Sequence, residues 1–214
     1  MGKNNKEGVF EKCGAVLKGH FVLAGMEHSD TYLEKVYLYR NTAIFEELCL
    51  QMAREVASKT NNVDAVVGPA PVGAVLAQRV ACHLGAIQHR MVIPFFTEKD
   101  KNGQHAFRRN FAKDLPGKNV LAVDDVITTG KTITELIKTI ILLKGQMAAV
   151  AVICNRSEDV LDKFYIFPVI SLLRIKLKVF PENDCLLCSK RVPVDAGIGR
   201  GKEFLAAHPG YPSK

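Results

Sequence analysis

The sequence contains no apolar run long enough to cross a membrane, which excludes a membrane-spanning helix. The segment from Met1 to Gly8 has no apolar stretch of the kind that a secretory signal requires. Lys6 stands where an N-myristoylation motif has Ser or Thr. No internal repeat, low-complexity tract or interdomain linker is visible. We therefore expect a cytoplasmic protein with no membrane partner and one domain that spans residues 1–214.

Basic residues are in excess, but they form no stripe. The chain has 29 Lys and Arg against 22 Asp and Glu, a net charge of +7. This excess suits a polyanionic ligand. Because the basic residues are scattered, we expect no nucleic-acid partner. A hydrophobic content of 48% with 24% charged residues over 214 residues is typical of a globular chain with a full core.

The cysteines lack the further ligands that a metal site needs. A structural zinc site takes four ligands, and Cys185 and Cys188 have the spacing of only half of one. No second close Cys/His pair is present, only the distant His208. We interpret Cys185 and Cys188 as a reduced structural pair, with zinc shared between subunits as the alternative. In an intracellular chain we expect thiols rather than disulfides at all six cysteines: Cys13, Cys49, Cys82, Cys154, Cys185 and Cys188.

The most informative segment runs from Asn119 to Thr132. Its apolar stretch from Val120 to Val123 predicts a buried strand that ends in two adjacent acids, Asp124 and Asp125. A Thr-Thr-Gly loop follows, and then apolar residues at helical spacing. In open parallel sheets, ligands bind at the edge where such strands end.

The chemistry of this segment favours a sugar phosphate bound with magnesium. Small residues before a helix direct backbone N–H groups towards a phosphate. The two acids are placed to accept hydroxyls or to face a metal beside that phosphate. The alternative is that the acids and threonines only cap the helix. Two acids directly after an apolar strand, followed by Thr-Thr-Gly, favour the functional interpretation.

The order of elements predicts an α/β fold with a parallel sheet. Strands are expected at residues 64–67, 91–96, 120–123, 148–153, 169–173 and 176–180, and helices at 41–57, at 74–84 and from Ile133 to Gly145. Pro94 favours an edge position for its strand. The polar segment at 98–117 has no clear periodicity and predicts a mobile functional loop.

The segment 119–132 resembles the phosphoribosyl diphosphate (PRPP) signature of the type I phosphoribosyltransferases. The resemblance implies their fold: a parallel sheet flanked by helices, an N-terminal segment called the hood (about 1–40, with the C-terminal tail), a core (about 41–180) and a long flexible catalytic loop. It also implies that Asp124 and Asp125 face the ribose hydroxyls and Mg²⁺, and that 127–132 wraps the 5′-phosphate. The PRPP-binding residues implied are Lys99, Lys101, His105, Asp124, Asp125, Val126, Ile127, Thr128, Thr129, Gly130, Lys131 and Thr132.

Further segments narrow the resemblance to the orotate phosphoribosyltransferases. Residues 19–23 and 28–33 look like their hood, and 64–77 looks like their first, pyrophosphate-binding loop. Residues 95–100 and 107–111 are similar to the entry and return of their catalytic loop. Arg156 follows a strand at the position that meets orotate's carboxylate, and Thr128 would share that contact.

The resemblance implies an enzyme, a pentosyltransferase, that joins PRPP and orotate into orotidine 5′-monophosphate. Its catalytic residues would be Lys99, Asp124 and Asp125, its cofactor Mg²⁺ carried by PRPP, and its assembly a homodimer. The loop cations Lys99, Lys101, Arg108 and Arg109 would neutralise the departing pyrophosphate, unless they only solvate an exposed loop.

Several alternatives remain open at this stage. His105 could contact a phosphate or simply be exposed, and Arg156 could pair with Glu158 or Asp159. The chain could also act on another purine or pyrimidine base, or serve as a non-catalytic PRPP-sensing regulator.

Overall fold

The computed structural model describes Phe10 and residues 13–108, 111–156, 166–175 and 177–214. The chain divides into two compact units. The first comprises Met1–Thr42 with Lys176–Lys214, and the second comprises Ala43–Ile175. That the whole chain acts as one domain stays a prediction. Within the described ranges, no helix is both long and apolar enough to span a membrane.

The strands are β1 (Val16–Val22), β2 (His28–Leu33), β3 (Ala65–Pro69), β4 (Ile93–Lys99), β5 (His105–Ala106), β6 (Asn119–Ile127), β7 (Gln146–Asn155), β8 (Val169–Arg174) and β9 (Val194–Gly199). The helices are α1 (Val36–Arg40), α2 (Thr42–Lys59), α3 (Val72–Gln88), α4 (Lys131–Leu142), α5 (Leu186–Ser189) and α6 (Gly201–Ala207). Two 3-10 turns lie at Phe111–Asp114 and Glu182–Asp184.

The second unit is built on a six-stranded sheet with the order β5-β4-β3-β6-β7-β8. Every neighbouring pair is parallel except β4 with β5, which is antiparallel. The α/β class and the parallel sheet are therefore confirmed. Strands β3 and β6 are the most central, and their apolar residues are buried as in a sheet covered on both faces.

The helices of this unit present apolar faces to the core. The buried face of α4 comprises Ile133, Leu136, Ile137 and Ile140, the residues whose spacing predicted the helix. They pack into one cluster with Val67 of β3 and with strand residues of β6 and β7. This packing holds the first turn of α4 at the carboxyl end of β6, which is where the predicted site lies.

One local expectation was incomplete and another was wrong. Residues 98–117 contain the end of β4, a turn and β5, so their first part is a hairpin, while the mobility of the segment stays a prediction. Asp100 Oδ1 accepts hydrogen bonds from the backbone N–H groups of Asn102 and Gln104, which close the turn. Residues 177–179 form no strand, and Phe180 makes only an isolated bridge with His28. Pro94 pairs with Val66 on one side, while β5 reaches only Glu98 and Lys99 on the other. The position of Pro94 thus has one ladder partner, as its missing N–H requires.

The first unit is built on a three-stranded sheet with the order β2-β1-β9. β1 and β2 form an antiparallel hairpin, and β9 runs parallel to β1. Val22, Val194 and Phe204 form a small buried cluster in this unit. Backbone bonds in both directions between His28 and Phe180 fasten the C-terminal segment to the hairpin.

Candidate active site

The carboxyl end of β6 leads into a short loop and directly into α4. Gly130 caps the helix with φ +75° and ψ 4°, a left-handed conformation that favours glycine. Thr134 N–H donates to Gly130 O at 2.9 Å, which begins the helical bonding. The first backbone N–H groups of a helix have no carbonyl partner within it, and they carry the positive end of its dipole. The loop therefore has the backbone geometry of an anion site.

A small pocket opens at this point of the sheet. Thr128, Thr129 and Lys131 are exposed around it, whereas Gly130 is buried. The pocket is lined by one acid and by the whole loop: Asp124, Val126, Ile127, Thr128, Thr129, Gly130, Lys131, Thr132 and Ile133. The signature segment thus forms a pocket rather than only a helix cap.

The two acids of the signature are buried at the end of β6. Only 8% of Asp124 and 7% of Asp125 is exposed. Asp125 N–H donates to Asp124 Oδ1 at 2.9 Å, and Val126 N–H donates to Asp125 Oδ1 at 2.6 Å. Asp124 lines the pocket. Asp125 is not among the lining residues, so its contact with the ribose stays a prediction.

The loop after β3 ends at the same edge of the sheet, because β3 lies beside β6 and parallel to it. It is tight at two glycines. A Cβ on Gly68 would lie 2.1 Å from Gly73 O, and one on Gly73 would lie 2.4 Å from Pro69 Cδ. Ala70 N–H donates to Thr97 O at 2.8 Å and ties the loop to β4. The segment predicted to hold pyrophosphate is therefore a compact turn that only glycine at both positions permits.

Arg156 lies beside the pocket loop. It follows β7, and its backbone N–H donates to Ile127 O at 2.9 Å. Its side chain is half-buried. Arg156 is thus bonded through its backbone to the residue before Thr128, and the role of both residues in binding the base stays a prediction. The alternative partners Glu158 and Asp159 lie outside the described residues.

The predicted loop cations lie on the β4–β5 hairpin. Lys99 is exposed at the end of β4, and Lys101 is exposed in the turn. Arg108 Nε lies 3.0 Å from Glu98 Oε2, and Arg108 Nη2 donates to Lys99 O at 2.9 Å. Arg109 lies outside the described residues. None of the three described cations lines the pocket around Asp124.

His105 is buried on β5, which excludes the alternative that it is simply exposed. Its ring Nδ1 lies 3.3 Å from Thr97 Oγ1, and its backbone carbonyl accepts a bond from Thr139 Oγ1 at 2.9 Å. Burial lowers the pKa of His105 below its ordinary value, Lys99 lowers it further, and Glu135 opposes both. Its contact with PRPP stays a prediction.

One group of functional residues was not predicted from the sequence. The nitrogen atoms of His20 and His28 lie within 4.8 Å of the sulfur atoms of Cys185 and Cys188 and of one another. The expectation that the Cys pair has no close histidine pair was therefore wrong. Each histidine is isolated in the sequence, and only the β1–β2 hairpin brings them together. The available signal was weak: two histidines eight positions apart, in the segments that resemble the hood.

Known proteins share this architecture and much of this sequence. A family model described as the phosphoribosyl transferase domain matches residues 38–183. The orotate phosphoribosyltransferase of Caldanaerobacter subterraneus subsp. tengcongensis is 34% identical over 190 residues, which cover 87% of this chain and 92% of that protein. This chain belongs to the phosphoribosyltransferase family.

Solved structures of the family have the same fold. The orotate phosphoribosyltransferase from Aeropyrum pernix superposes with a TM-score of 0.64 at 24% identity, over 78% of this chain and 92% of that one. The Mycobacterium tuberculosis orotate phosphoribosyltransferase in complex with PRPP superposes with a TM-score of 0.60 at 15% identity, over 82% of this chain and 92% of that one. The predicted fold is confirmed.

Proposed function

We propose that this protein is an orotate phosphoribosyltransferase, which transfers the 5-phosphoribosyl group of PRPP to orotate and releases pyrophosphate. The observation that carries the proposal is the pocket at Asp124–Ile133, where an acid and the amides of a helix start line one cavity. Curated relatives with this activity, 34% identical over most of the chain, support the choice of base.

In the proposed complex, the pocket loop binds the 5′-phosphate. Backbone N–H groups from Thr128 to Thr132 donate to its oxygens, and the start of α4 adds the positive end of a helix dipole. The exposed Lys131 supplies a nearby charge. Asp124 and Asp125 accept the ribose 2′- and 3′-hydroxyls, which orients the anomeric carbon.

The donor set fits Mg²⁺ brought in by PRPP. Carboxylate oxygens are the ligands that this hard cation prefers, usually one or two of them beside substrate phosphates and water. Asp124 and Asp125 would face it, with Asp124 at the pocket wall. Bound there, Mg²⁺ would neutralise charge on the diphosphate.

The reaction exchanges one bond at the anomeric carbon. The bond from C1 to the diphosphate oxygen breaks, and pyrophosphate leaves with the bonding electrons. N1 of orotate donates its electron pair to C1, and this anionic base needs no protein general base. Positive charge develops on the ribose between these events, and the two buried carboxylates stabilise it. Lys99 and Lys101, exposed on the hairpin, neutralise the departing pyrophosphate.

Arg156 and Thr128 recognise orotate. A guanidinium forms two parallel hydrogen bonds to a carboxylate, which uracil lacks. The backbone bond from Arg156 N–H to Ile127 O fixes this residue beside the loop that carries Thr128. Burial raises the pKa of the preceding Cys154 thiol to about 12, so Cys154 stays neutral behind the site.

We also propose that the protein is a cytoplasmic homodimer. A reducing compartment suits six free cysteines. An apolar groove on the second unit offers a surface for a second copy, lined by Ala74, Val75, Gln78, Pro94, Phe95 and Phe96. Light scattering coupled to size exclusion should give about twice the mass of the chain, and a monomer at all concentrations would contradict this part.

A base screen tests the function. Pyrophosphate release should require PRPP, Mg²⁺ and orotate together, and should be absent with adenine, hypoxanthine or guanine. Arg156→Lys should raise the KM for orotate more than it changes the KM for PRPP. Activity with a purine but not with orotate would show that the protein is a purine phosphoribosyltransferase. Salt-dependent DNA binding without any turnover would favour a PRPP-sensing regulator instead.

A further inference from the structure

We propose that His20, His28, Cys185 and Cys188 form a structural zinc site in the first unit. In the described part of the chain, they are the one group of at least three His, Cys, Asp or Glu residues placed to hold a metal ion. The sequence separates the two halves of the group by more than 150 residues, and the fold brings them to one point.

The spacing of the four ligand atoms fits a tetrahedral ion. Zinc bonds of about 2.0–2.1 Å to nitrogen and 2.3 Å to sulfur imply N···S separations of about 3.6 Å. His20 Nε2 lies 3.8 Å from Cys185 Sγ and 3.7 Å from Cys188 Sγ. His28 Nδ1 lies 3.2 Å from Cys188 Sγ. The two histidine nitrogens are 2.8 Å apart, which is closer than the about 3.3 Å that zinc imposes, so the rings would separate slightly on binding.

A second interaction fixes His20 in the form that binds metal. Its Nδ1 lies 2.8 Å from Val192 O. A carbonyl can only accept, so Nδ1 carries the proton and Nε2 turns its lone pair towards the cluster. Donation of the other ring N–H to a backbone carbonyl is the usual support of a metal-bound histidine.

The group is closed rather than open to substrate. His20 is 1%, His28 0% and Cys185 4% exposed, and Cys188 is half-buried. Four protein ligands complete a tetrahedron and leave no position for water, as in structural zinc sites. Two thiolates with Zn²⁺ and two neutral imidazoles carry no net charge, which suits burial.

The position of the four ligands would let zinc stabilise the first unit. His20 and His28 belong to the β1–β2 hairpin. Cys185 is the N-cap residue of α5, and Cys188 lies within that helix. The hydrophobic cluster beside them is small, with Val22, Val194 and Phe204 as its buried members. Small cores commonly need a metal or a disulfide to be stable. Zinc would link the β1–β2 hairpin to the C-terminal segment, where few apolar side chains are buried.

The metal-free alternative is a hydrogen bond between the two histidines beside two reduced thiols. In that arrangement His28 Nδ1–H donates to His20 Nε2, so His28 Nε2 carries a lone pair. That atom is buried and has no hydrogen-bond partner among the described residues, and the same holds when His28 Nδ1 binds zinc. The metal-free form would hold one buried thiol, one half-buried thiol and two imidazoles together only through weak S···N contacts, whereas zinc would bond to all four ligand atoms.

The test is the metal content of the tag-free protein, measured by inductively coupled plasma mass spectrometry. We expect about one zinc per chain in wild type and in the control variant Cys13→Ser/Cys82→Ser, which alters two thiols outside the cluster. We expect at least a tenfold loss of zinc in Cys185→Ser/Cys188→Ser. Equal zinc in all three proteins would mean adventitious binding and overturn the proposal, and iron in place of zinc would overturn the choice of metal.

Cobalt replacement in wild type keeps the test decisive if the double variant does not fold. Chelator-treated protein titrated with Co²⁺ should develop the intense visible bands of a tetrahedral ion and a thiolate charge-transfer band, saturating at one equivalent. Zinc should then displace the cobalt and raise Tm by at least about 10 °C over the apo protein. No tetrahedral spectrum and no zinc in the purified protein would show that the cluster is the metal-free thiol–histidine pair.

Discussion

The two units carry their functional residues in opposite ways. In the second unit, the pocket is lined by Asp124 and the contiguous loop Val126–Ile133, delivered by one strand, one loop and one helix start. In the first unit, His20 and His28 lie close to Cys185 and Cys188, and His20 is 165 positions from Cys185 in the sequence. The residues of the first site lie in one short segment, so a local sequence pattern can predict them. The second exists only once the tertiary structure has formed.

The largest expected effect comes from Asp124→Asn in the contiguous site. Loss of one carboxylate removes stabilisation of the positively charged ribose and should lower kcat/KM by roughly 10²–10³-fold. Steady-state pyrophosphate release measures the loss. Asp114→Asn, an exposed acid of the same unit, should leave the rate unchanged.

Zinc content should be the same in both Asp variants, because the two sites share no residue. If the Asp124→Asn variant kept the wild-type rate, Asp124 would have no role in catalysis. Loss of zinc in the Asp124→Asn variant would show that the two sites are not independent.

The sequence predicted the strand, the loop and the helix that form the contiguous pocket, because their signals are local. The apolar run before Asp124, the glycine at position 130 and the spacing of Ile133, Leu136, Ile137 and Ile140 each fix a neighbouring part of the backbone. The hairpin at β4–β5 was missed because residues 98–106 are polar and lack alternation, and its pairing is only two residues long. His105 is buried there through tertiary contact with Thr97 and Thr139, which no local pattern encodes.

The same reasoning explains the missed cluster. Cys185 and Cys188 were visible as a half-site, but His20 and His28 lie on two strands that the sequence analysis did not predict. A bulge in β1 between Lys18 and Phe21 also shifts the register of the hairpin. Side-chain direction in a strand depends on register, so a one-residue shift decides which side a histidine faces.

The next largest effect is expected at the loop after β3. Gly68→Ala would place a Cβ at 2.1 Å from Gly73 O, a backbone atom that cannot move without opening the turn. We expect a loss of roughly 3 kcal/mol in the free energy of unfolding, measured by urea denaturation.

Gly197→Ala provides the matched control, because its Cβ would meet only Asp195 Oδ1 at 3.4 Å. Its effect should stay within about 0.5 kcal/mol. Equal effects of the two substitutions would show that the turn at Gly68 is not under steric constraint.

A smaller effect should appear as a pH dependence at His105. Burial lowers its pKa below 6.5, so the unfolded chain binds the proton more readily than the folded one. The stabilising contribution is full above pH 6.5 and is lost as the pH falls below that value towards the folded pKa. Thermal unfolding of wild type and His105→Gln should therefore differ most in pH slope just below 6.5.

His89→Asn is the control for this slope, because His89 is exposed on the same unit and Asn tolerates its left-handed backbone. The control should keep the wild-type slope. An unchanged slope in His105→Gln would contradict the burial of a neutral imidazole in solution.

The smallest expected effect concerns the exposed ion pair of the hairpin. Arg108 and Glu98 are 55% and 45% exposed, so Glu98→Gln should change the free energy of unfolding by at most about 1 kcal/mol. A larger loss would mean that the hairpin depends on this pair for its structure. Chemical denaturation with and without added salt provides the measurement.

The pocket of the second unit is tested most directly by a crystal structure of the protein soaked with PRPP and Mg²⁺. We expect the 5′-phosphate within hydrogen-bond distance of the backbone N–H groups of residues 128–132, and the ribose hydroxyls on Asp124 and Asp125. Clear density for PRPP elsewhere on the protein, or none at saturating concentration, would contradict the proposed site.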